Sequence, residues 1–206
     1  MAQLISEQEK FWVDTFGDEY TDRNQGAELL ASNIALFARI VRSTGRINSI
    51  LEIGANRGLN LQALKILIPH VQLAAVEINS YACKKLATIS DVEIYNQSIV
   101  EFSVQKTYDV VLSKGVLIHI NPEQLPHVYD VMYRSSHKYI CVIEYYNPKP
   151  VSLEYRGYAQ KLFKRDFAGE ILDRFHDVAL VDYGFAYHRD TYFAQDDITW
   201  FLLEKK

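Results

Sequence analysis

The chain is short of cysteine, of long apolar runs and of positive charge, and each shortage removes a class of function. Two cysteines, Cys83 and Cys141, occur in 206 residues. They form no CxxC pair and no metal-ligand spacing, so a disulfide framework and a cysteine-held metal find no support, and buried free thiols are expected. No metal site is assigned. No apolar stretch approaches the ~20 residues a bilayer crossing needs, so no membrane association is expected. The N-terminus lacks the basic start, apolar middle and small-residue cleavage site of a signal peptide, its run Ser6-Glu7-Gln8-Glu9-Lys10 being polar, which points to the cytoplasm. Lys and Arg total 22 against 26 Asp and Glu, a formal net charge of -4 with a pI near 5.9. That balance argues against a surface that follows a nucleic-acid backbone.

What the chain does have is an ordinary globular balance, 49% hydrophobic and 23% charged residues, in a length that suits one domain. We read 1–206 as a single domain with a helical cap over 1–45 and an insertion over 147–175. From about Ile47, short β-branched runs alternate with helical patterns, the signature of a mostly parallel sheet covered by helices on both faces. Strands are expected at Ser49–Ile53, Leu73–Val76, Val92–Tyr95, Val110–Leu112 and Tyr139–Ile143. Helices are expected at Leu59–Ile68, Ser80–Ile89 and, capped by Asn121 with Pro122 in the first turn, from Pro122 to Ser135. Leu30, Ile34, Phe37 and Val41 recur at helical spacing and predict an amphipathic helix over Leu29–Val41. Ala179–Tyr183 and Ile198–Leu203 are two strands without a crossover helix between them, hence antiparallel neighbours. Before all of these, Phe11, Trp12, Phe16 and Tyr20 form an aromatic cluster that is either a packed N-terminal helix or a lid.

The most informative stretch is Ile50-Leu51-Glu52-Ile53-Gly54-Ala55-Asn56-Arg57-Gly58, a buried strand running into a glycine-bearing turn and a helix. Its G-x-x-x-G spacing differs from the G-x-G-x-x-G that grips a dinucleotide pyrophosphate, which favours a ligand without phosphates; such a turn also serves packing alone. Glu77 ends the second strand, where a carboxylate can accept both hydroxyls of a ribose or simply face solvent.

These residues resemble the class I S-adenosylmethionine-dependent methyltransferases. Leu51-Glu52-Ile53-Gly54-x-x-x-Gly58 is similar to their first motif, Glu77 to their ribose-binding acid, and Tyr108-Asp109-Val110-Val111-Leu112-Ser113 to their fourth-strand motif. The resemblance implies a Rossmann-like, seven-stranded, mostly parallel α/β sheet with an antiparallel strand near the C-terminus, and S-adenosyl-L-methionine as cofactor. It implies that Gly54, Ala55 and Gly58 lie against the methionine part, with Glu52 and Asn56 of the same stretch among the contacts. Glu77 would hold the ribose with Ile78 beside it, and Gln97, Ser98 and Ile99 would border adenine, Ser98 standing where the family usually has an aspartate. Lys114 and Gly115 would border the methionine group, although a lysine there can also point to solvent.

Further strings resemble the methylases associated with pseudaminic acid biosynthesis: Phe16-Gly17-Asp18-Glu19-Tyr20, Lys114 to Pro122, Glu144-Tyr145-Tyr146-Asn147-Pro148, Lys164-Arg165-Asp166-Phe167-Ala168-Gly169-Glu170, and Gln195-Asp196-Asp197-Ile198-Thr199-Trp200. This implies a small sugar acceptor in nonulosonic acid metabolism. For a hydroxyl acceptor, His119, Glu144 and His188 are the candidate bases. Arg156, Lys164 and Arg165 are candidates to hold an anionic group, and Trp12, Tyr20, Tyr145, Tyr146 and Asn147 to wall the acceptor, the alternative for each being solvent or packing. Two rivals remain at this stage: a non-catalytic cofactor-binding or scaffold protein, and a nicotinamide-dependent sugar oxidoreductase or epimerase. The oligomeric state is not legible.

Overall fold

A computed structural model describes residues 6–206, so the first five residues of the expected cap lie outside it. Among the described residues, β1 (Ser49–Ile53), β2 (Gln72–Val76), β3 (Val92–Tyr95), β4 (Tyr108–Lys114), β5 (Ser136–Glu144), β8 (Val178–Ala186) and β9 (Ile198–Lys205) form one sheet. Its order is β3-β2-β1-β4-β5-β9-β8. The first five strands pair in parallel, and β9 runs antiparallel to both neighbours, as expected. The chain leaves β1 toward β2 and β3, then returns to place β4 on the other side of β1, which creates a switch point where ligands collect at the carboxyl ends of the strands.

Alternation along each strand feeds two cores. Leu51 and Ile53 of β1, with Ile140 and Val142 of β5, face α6 (Leu125–Ser135) and α7 (Phe167–Arg174). Ile50, Cys141 and Ile143 face α3 (Ala27–Val41) and α4 (Leu59–Leu67). Because helices cover both faces, the strands read as continuous apolar runs. Both cysteines are buried and free, and burial pushes each thiol up to about 12. Among the described residues no helix is long and apolar enough to cross a membrane.

Three regions differ from the sequence expectation or add to it. The helix expected from Pro122 begins at Leu125 with Pro126 in its first turn, because Asn121 closes a tight turn with Glu123 and Gln124 instead of capping the helix. The insertion holds a hairpin, β6 (Val151–Tyr155) and β7 (Tyr158–Lys164), whose two-residue turn Arg156-Gly157 has positive φ at both positions. The aromatic N-terminus forms α1 (Glu7–Val13) and α2 (Thr15–Arg23), and α5 (Ser80–Leu86) follows β2. Phe11 stacks on Phe16 and meets Tyr158, while Phe16 meets Tyr155, so the hairpin braces the N-terminal helices.

Phe37 is one of the largest fully buried side chains. Phe37→Ala is expected to lower the unfolding free energy in urea by about 3–5 kcal/mol. Ile66→Ala, at a side chain 56% exposed, should change it by less than about 0.5 kcal/mol. Equal losses would contradict this placement of the core.

Candidate functional site

The loop after β1 turns sharply because three of its five residues take positive φ: Gly54 at 62°, Asn56 at 49° and Gly58 at 80°. Asparagine tolerates this left-handed conformation better than most side chains, which explains its place between the glycines. The loop is hooked to the end of β2, Gly54 N–H donating to the Val76 carbonyl at 2.7 Å. Gly54, Ala55 and Asn56 line a cavity with room for water centres of about 200 Å³, at the carboxyl ends of β1, β2 and β4. Gly58 does not line it. A Cβ there would meet the side chains of Leu86 and Ile89, so its smallness serves the packing of α4 against the end of α5.

Glu77 sits at the cavity edge, buried, with no cation pairing it among the described residues. The Asn56 N–H donates to its Oε2 at 2.7 Å and the Asn79 N–H to its Oε1 at 2.8 Å. Burial raises its pKa against the pull of these backbone donors. Ile78, Gln97, Ser98 and Ile99 continue the cavity wall beyond it. Ser98 accepts from the Val100 N–H and donates to Glu9 of α1.

Lys114 and Gly115 line the other side. The Lys114 side chain makes no hydrogen bond or ion pair among the described residues, and burial lowers its pKa while Glu52, Asp196 and Glu144 raise it. Glu52 lies behind the wall, on the β1 face that holds Ile50. Its Oε1 accepts from Asn60 at 2.6 Å, and its Oε2 has no partner among the described residues. Glu144 is also behind the wall. Its Oε1 accepts from the Ser113 hydroxyl and from the backbone N–H groups of Val116 and Leu117, so it anchors the one-turn 3₁₀ helix Leu117–His119. Burial pushes its carboxyl up to about 7.

His119 lines the cavity. Its Nδ1 lies 2.6 Å from the Lys161 carbonyl. A carbonyl only accepts, so Nδ1 carries the proton and Nε2 keeps a lone pair. The ring lies between Trp12 and Tyr155, with centroids 4.7 and 4.9 Å away. Burial drives its pKa down to about 4, below the ordinary imidazole range.

The remaining candidates separate. Trp12 and Tyr20 line the cavity, and burial raises the Tyr20 phenol to about 12. His188 does not; it is exposed and faces Asp197 at 2.8 Å. Arg165 is held by Glu170 at 2.6 Å, Lys164 lies over the Tyr145 ring, and Arg156 is exposed at the hairpin turn over Tyr155. Tyr146 is exposed, and Asn147 donates to the Lys149 carbonyl. None of Tyr145, Tyr146, Asn147, Arg156, Lys164 or Arg165 reaches the cavity wall. The wall residues that sequence reasoning missed include Glu9, Asn33, Asn79, Asn121 and Gln124, together with Gln195 and Asp196, which lie in one of the family-like strings. Asn79 carried a legible signal as a helix cap, since its side chain accepts from the Ala82 N–H. Among the described residues no group of three or more His, Cys, Asp or Glu is placed to hold a metal.

No protein-family model matches the chain, and no curated protein matches it in sequence. Solved structures do match. A 1,6-didemethyltoxoflavin-N1-methyltransferase of Burkholderia thailandensis, with 1,6-didemethyltoxoflavin and S-adenosylhomocysteine bound, superimposes with TM-score 0.69 at 14% identity, over 96% of this chain and 87% of that one. The plantazolicin methyltransferase in complex with a pentazolic substrate analogue and S-adenosylhomocysteine gives 0.67 at 14%, over 97% and 94%. Magnesium protoporphyrin IX methyltransferase of Synechocystis, with S-adenosylmethionine bound, gives 0.67 at 12%, over the full length of both. The fold is therefore the Rossmann-like fold of the class I methyltransferases.

Burial raises the Glu52 carboxyl from 4.5 to about 8, with Asn60 and Lys114 opposing. The folded protein thus keeps a proton that the unfolded chain releases near 4.5. The resulting stability is fully present below that value and fades as pH rises through about 8. Thermal unfolding of wild type and Glu52→Gln should show the wild type losing ground to the variant between pH 5 and 9. A melting difference independent of pH would contradict the assignment.

Proposed function

We propose that this chain is an S-adenosylmethionine-dependent methyltransferase acting on a small, hydroxyl-bearing acceptor. The observation that carries the reading is Glu77, a buried carboxylate fixed by two backbone amides at the end of β2 and bordering the cavity. Each of its oxygens accepts one backbone hydrogen bond and retains capacity for another, which suits the vicinal diol of a ribose. The neighbouring residues fit the rest of such a cofactor: Gly54, Ala55, Asn56, Lys114, Gly115 and Asp196 for its amino-acid part, and Ile78, Gln97, Ser98 and Ile99 for a flat base. When bound, S-adenosylmethionine supplies a methyl group on a sulfonium, a chemistry that asks the protein for alignment and exclusion of water rather than a metal.

The chain's own residues meet those demands. The helices α1 and α2 roof the cavity with Trp12, Gly17, Tyr20 and Thr21 on its wall, and the β6–β7 hairpin braces them from behind through the contact of Tyr155 with Phe16. The Nε2 lone pair of His119 accepts a hydrogen bond from the acceptor and orients it, a role that its fixed tautomer favours over proton removal near neutral pH. Asn24, Asn33, Asn121, Gln124 and Gln195 bring side-chain amides to the wall, and these donate to and accept from hydroxyl groups. The resemblance to the pseudaminic-acid-associated methylases supports a sugar as acceptor. An anionic sugar held by Arg156, Lys164 and Arg165 gains no support from their positions; Lys114 and Arg57 are the basic side chains on the wall among the described residues.

Titration calorimetry tests the cofactor. Wild type is expected to bind S-adenosylmethionine and S-adenosylhomocysteine and not NAD, and Glu77→Ala to lose at least about tenfold in affinity, the effect of a charge-assisted hydrogen bond. No heat with either sulfur compound at millimolar concentration would overturn the proposal.

For His119, single-turnover methyl transfer to a sugar acceptor should fall roughly 100-fold in His119→Phe, which keeps a ring in the stack but loses the orienting hydrogen bond. The two pH profiles should stay parallel from pH 6 to 8. A wild-type ionisation near 6.5 that the variant lacks would show that His119 titrates as a base.

A further inference from the structure

Beyond the end of β3 the cavity wall offers a purine amine no carboxylate from the sheet. Ser98 is buried and its hydroxyl proton is already committed: its oxygen accepts from the Val100 N–H at 3.1 Å and its proton goes to Glu9 Oε1. A carboxylate does stand there, but it comes from the roof. Glu9 lines the cavity together with Ile78, Ala82, Gln97, Ser98 and Ile99. Its direction is set by a capping box, Oε2 accepting from the Ser6 N–H at 2.8 Å while the Ser6 hydroxyl accepts from the Glu9 N–H at 3.2 Å. No lysine or arginine pairs with it among the described residues. A glutamate at this position of a capping box ordinarily faces solvent, whereas this one is half-buried against the wall.

Resting on the cofactor reading above, we infer that Glu9 recognises the exocyclic amine of the cofactor's base. The carboxylate for that contact is thereby carried on the roof helix α1 instead of on the sheet. Helix α1 buries no residue completely. Its polar holds on the body include two from loops that line the same cavity, Ser98 to Glu9 and Asn79 Nδ2 to the Trp12 carbonyl at 3.0 Å, beside the ion pair of Glu7 with Lys161 of β7 at 3.7 Å. An amine donating to Glu9 adds a further hold on α1, so base recognition also fastens the roof.

The test compares S-adenosylhomocysteine with S-inosylhomocysteine, whose oxo group turns lone pairs toward the carboxylate in place of an N–H. By calorimetry the wild type should favour the amine by about ten- to a hundredfold, the range of one charge-assisted hydrogen bond. Glu9→Ala should cut that preference below about threefold, and Glu9→Ala combined with Ser98→Asp, which returns an acid to the sheet, should restore it. The ratio of the two affinities is insensitive to a general loosening of α1, which weakens both ligands alike. If Glu9→Ala keeps the full preference, the inference is wrong while the cofactor reading stands. If wild type binds neither compound, both fall.

Discussion

Two backbone N–H groups from different loops, those of Asn56 and Asn79, converge on the buried Glu77 carboxylate, and the shape of the cavity depends on that convergence. The left-handed φ of Asn56 turns its amide toward β2. Asn79, the next donor, then reaches outward: its side chain caps α5 and donates to the Trp12 carbonyl and to Asp18, so the roof is fastened to the same node. The Glu77 carbonyl takes the Asn96 amide, which ties in the loop after β3. Removing the carboxylate leaves two amides short of partners at the edge of a buried site, at a cost of about 1–3 kcal/mol each.

Acidic groups recur around the cavity without matching cations, and their surroundings divide their labour. Glu144 takes three donors on Oε1 and serves to hold the 3₁₀ turn that presents His119. Glu52 keeps its proton because burial outweighs Asn60 and Lys114. Glu77 combines donors on one side with a cavity on the other. Burial alone does not mark a ligand contact; the cavity wall does.

The sheet was legible in the sequence because each buried parallel strand leaves a short apolar run and each turn a glycine, proline or cap. The glycine turn and Glu77 stood out by their places at strand ends, whereas Lys114 and Gly115 were named only through the family resemblance; Gly54, Glu77, Lys114 and Gly115 all line the cavity. What escaped was long-range pairing. Nothing near Arg165 in sequence distinguishes an arginine free to hold an anion from one already held by Glu170, and His188 looked equally available until Asp197 faced it. The acidity of His119 depends on Lys161 and on the rings of Trp12 and Tyr155, all more than thirty residues away in the chain. Gly58 misled in a different way: an invitation to a ligand and a place for Leu86 to pack leave the same glycine. Glu9 was hidden because its partner, Ser98, comes from the far side of the sheet motif.

The central claim is that the Glu77 node faces a nucleoside. A crystal structure with S-adenosylhomocysteine bound tests it most directly. The account predicts the ribose hydroxyls on the Glu77 carboxylate, with Asn56 and Asn79 still donating to it, and the base between Ile78 and Ser98. A ligand bound elsewhere, or one in this cavity whose ribose makes no contact with Glu77, would contradict it.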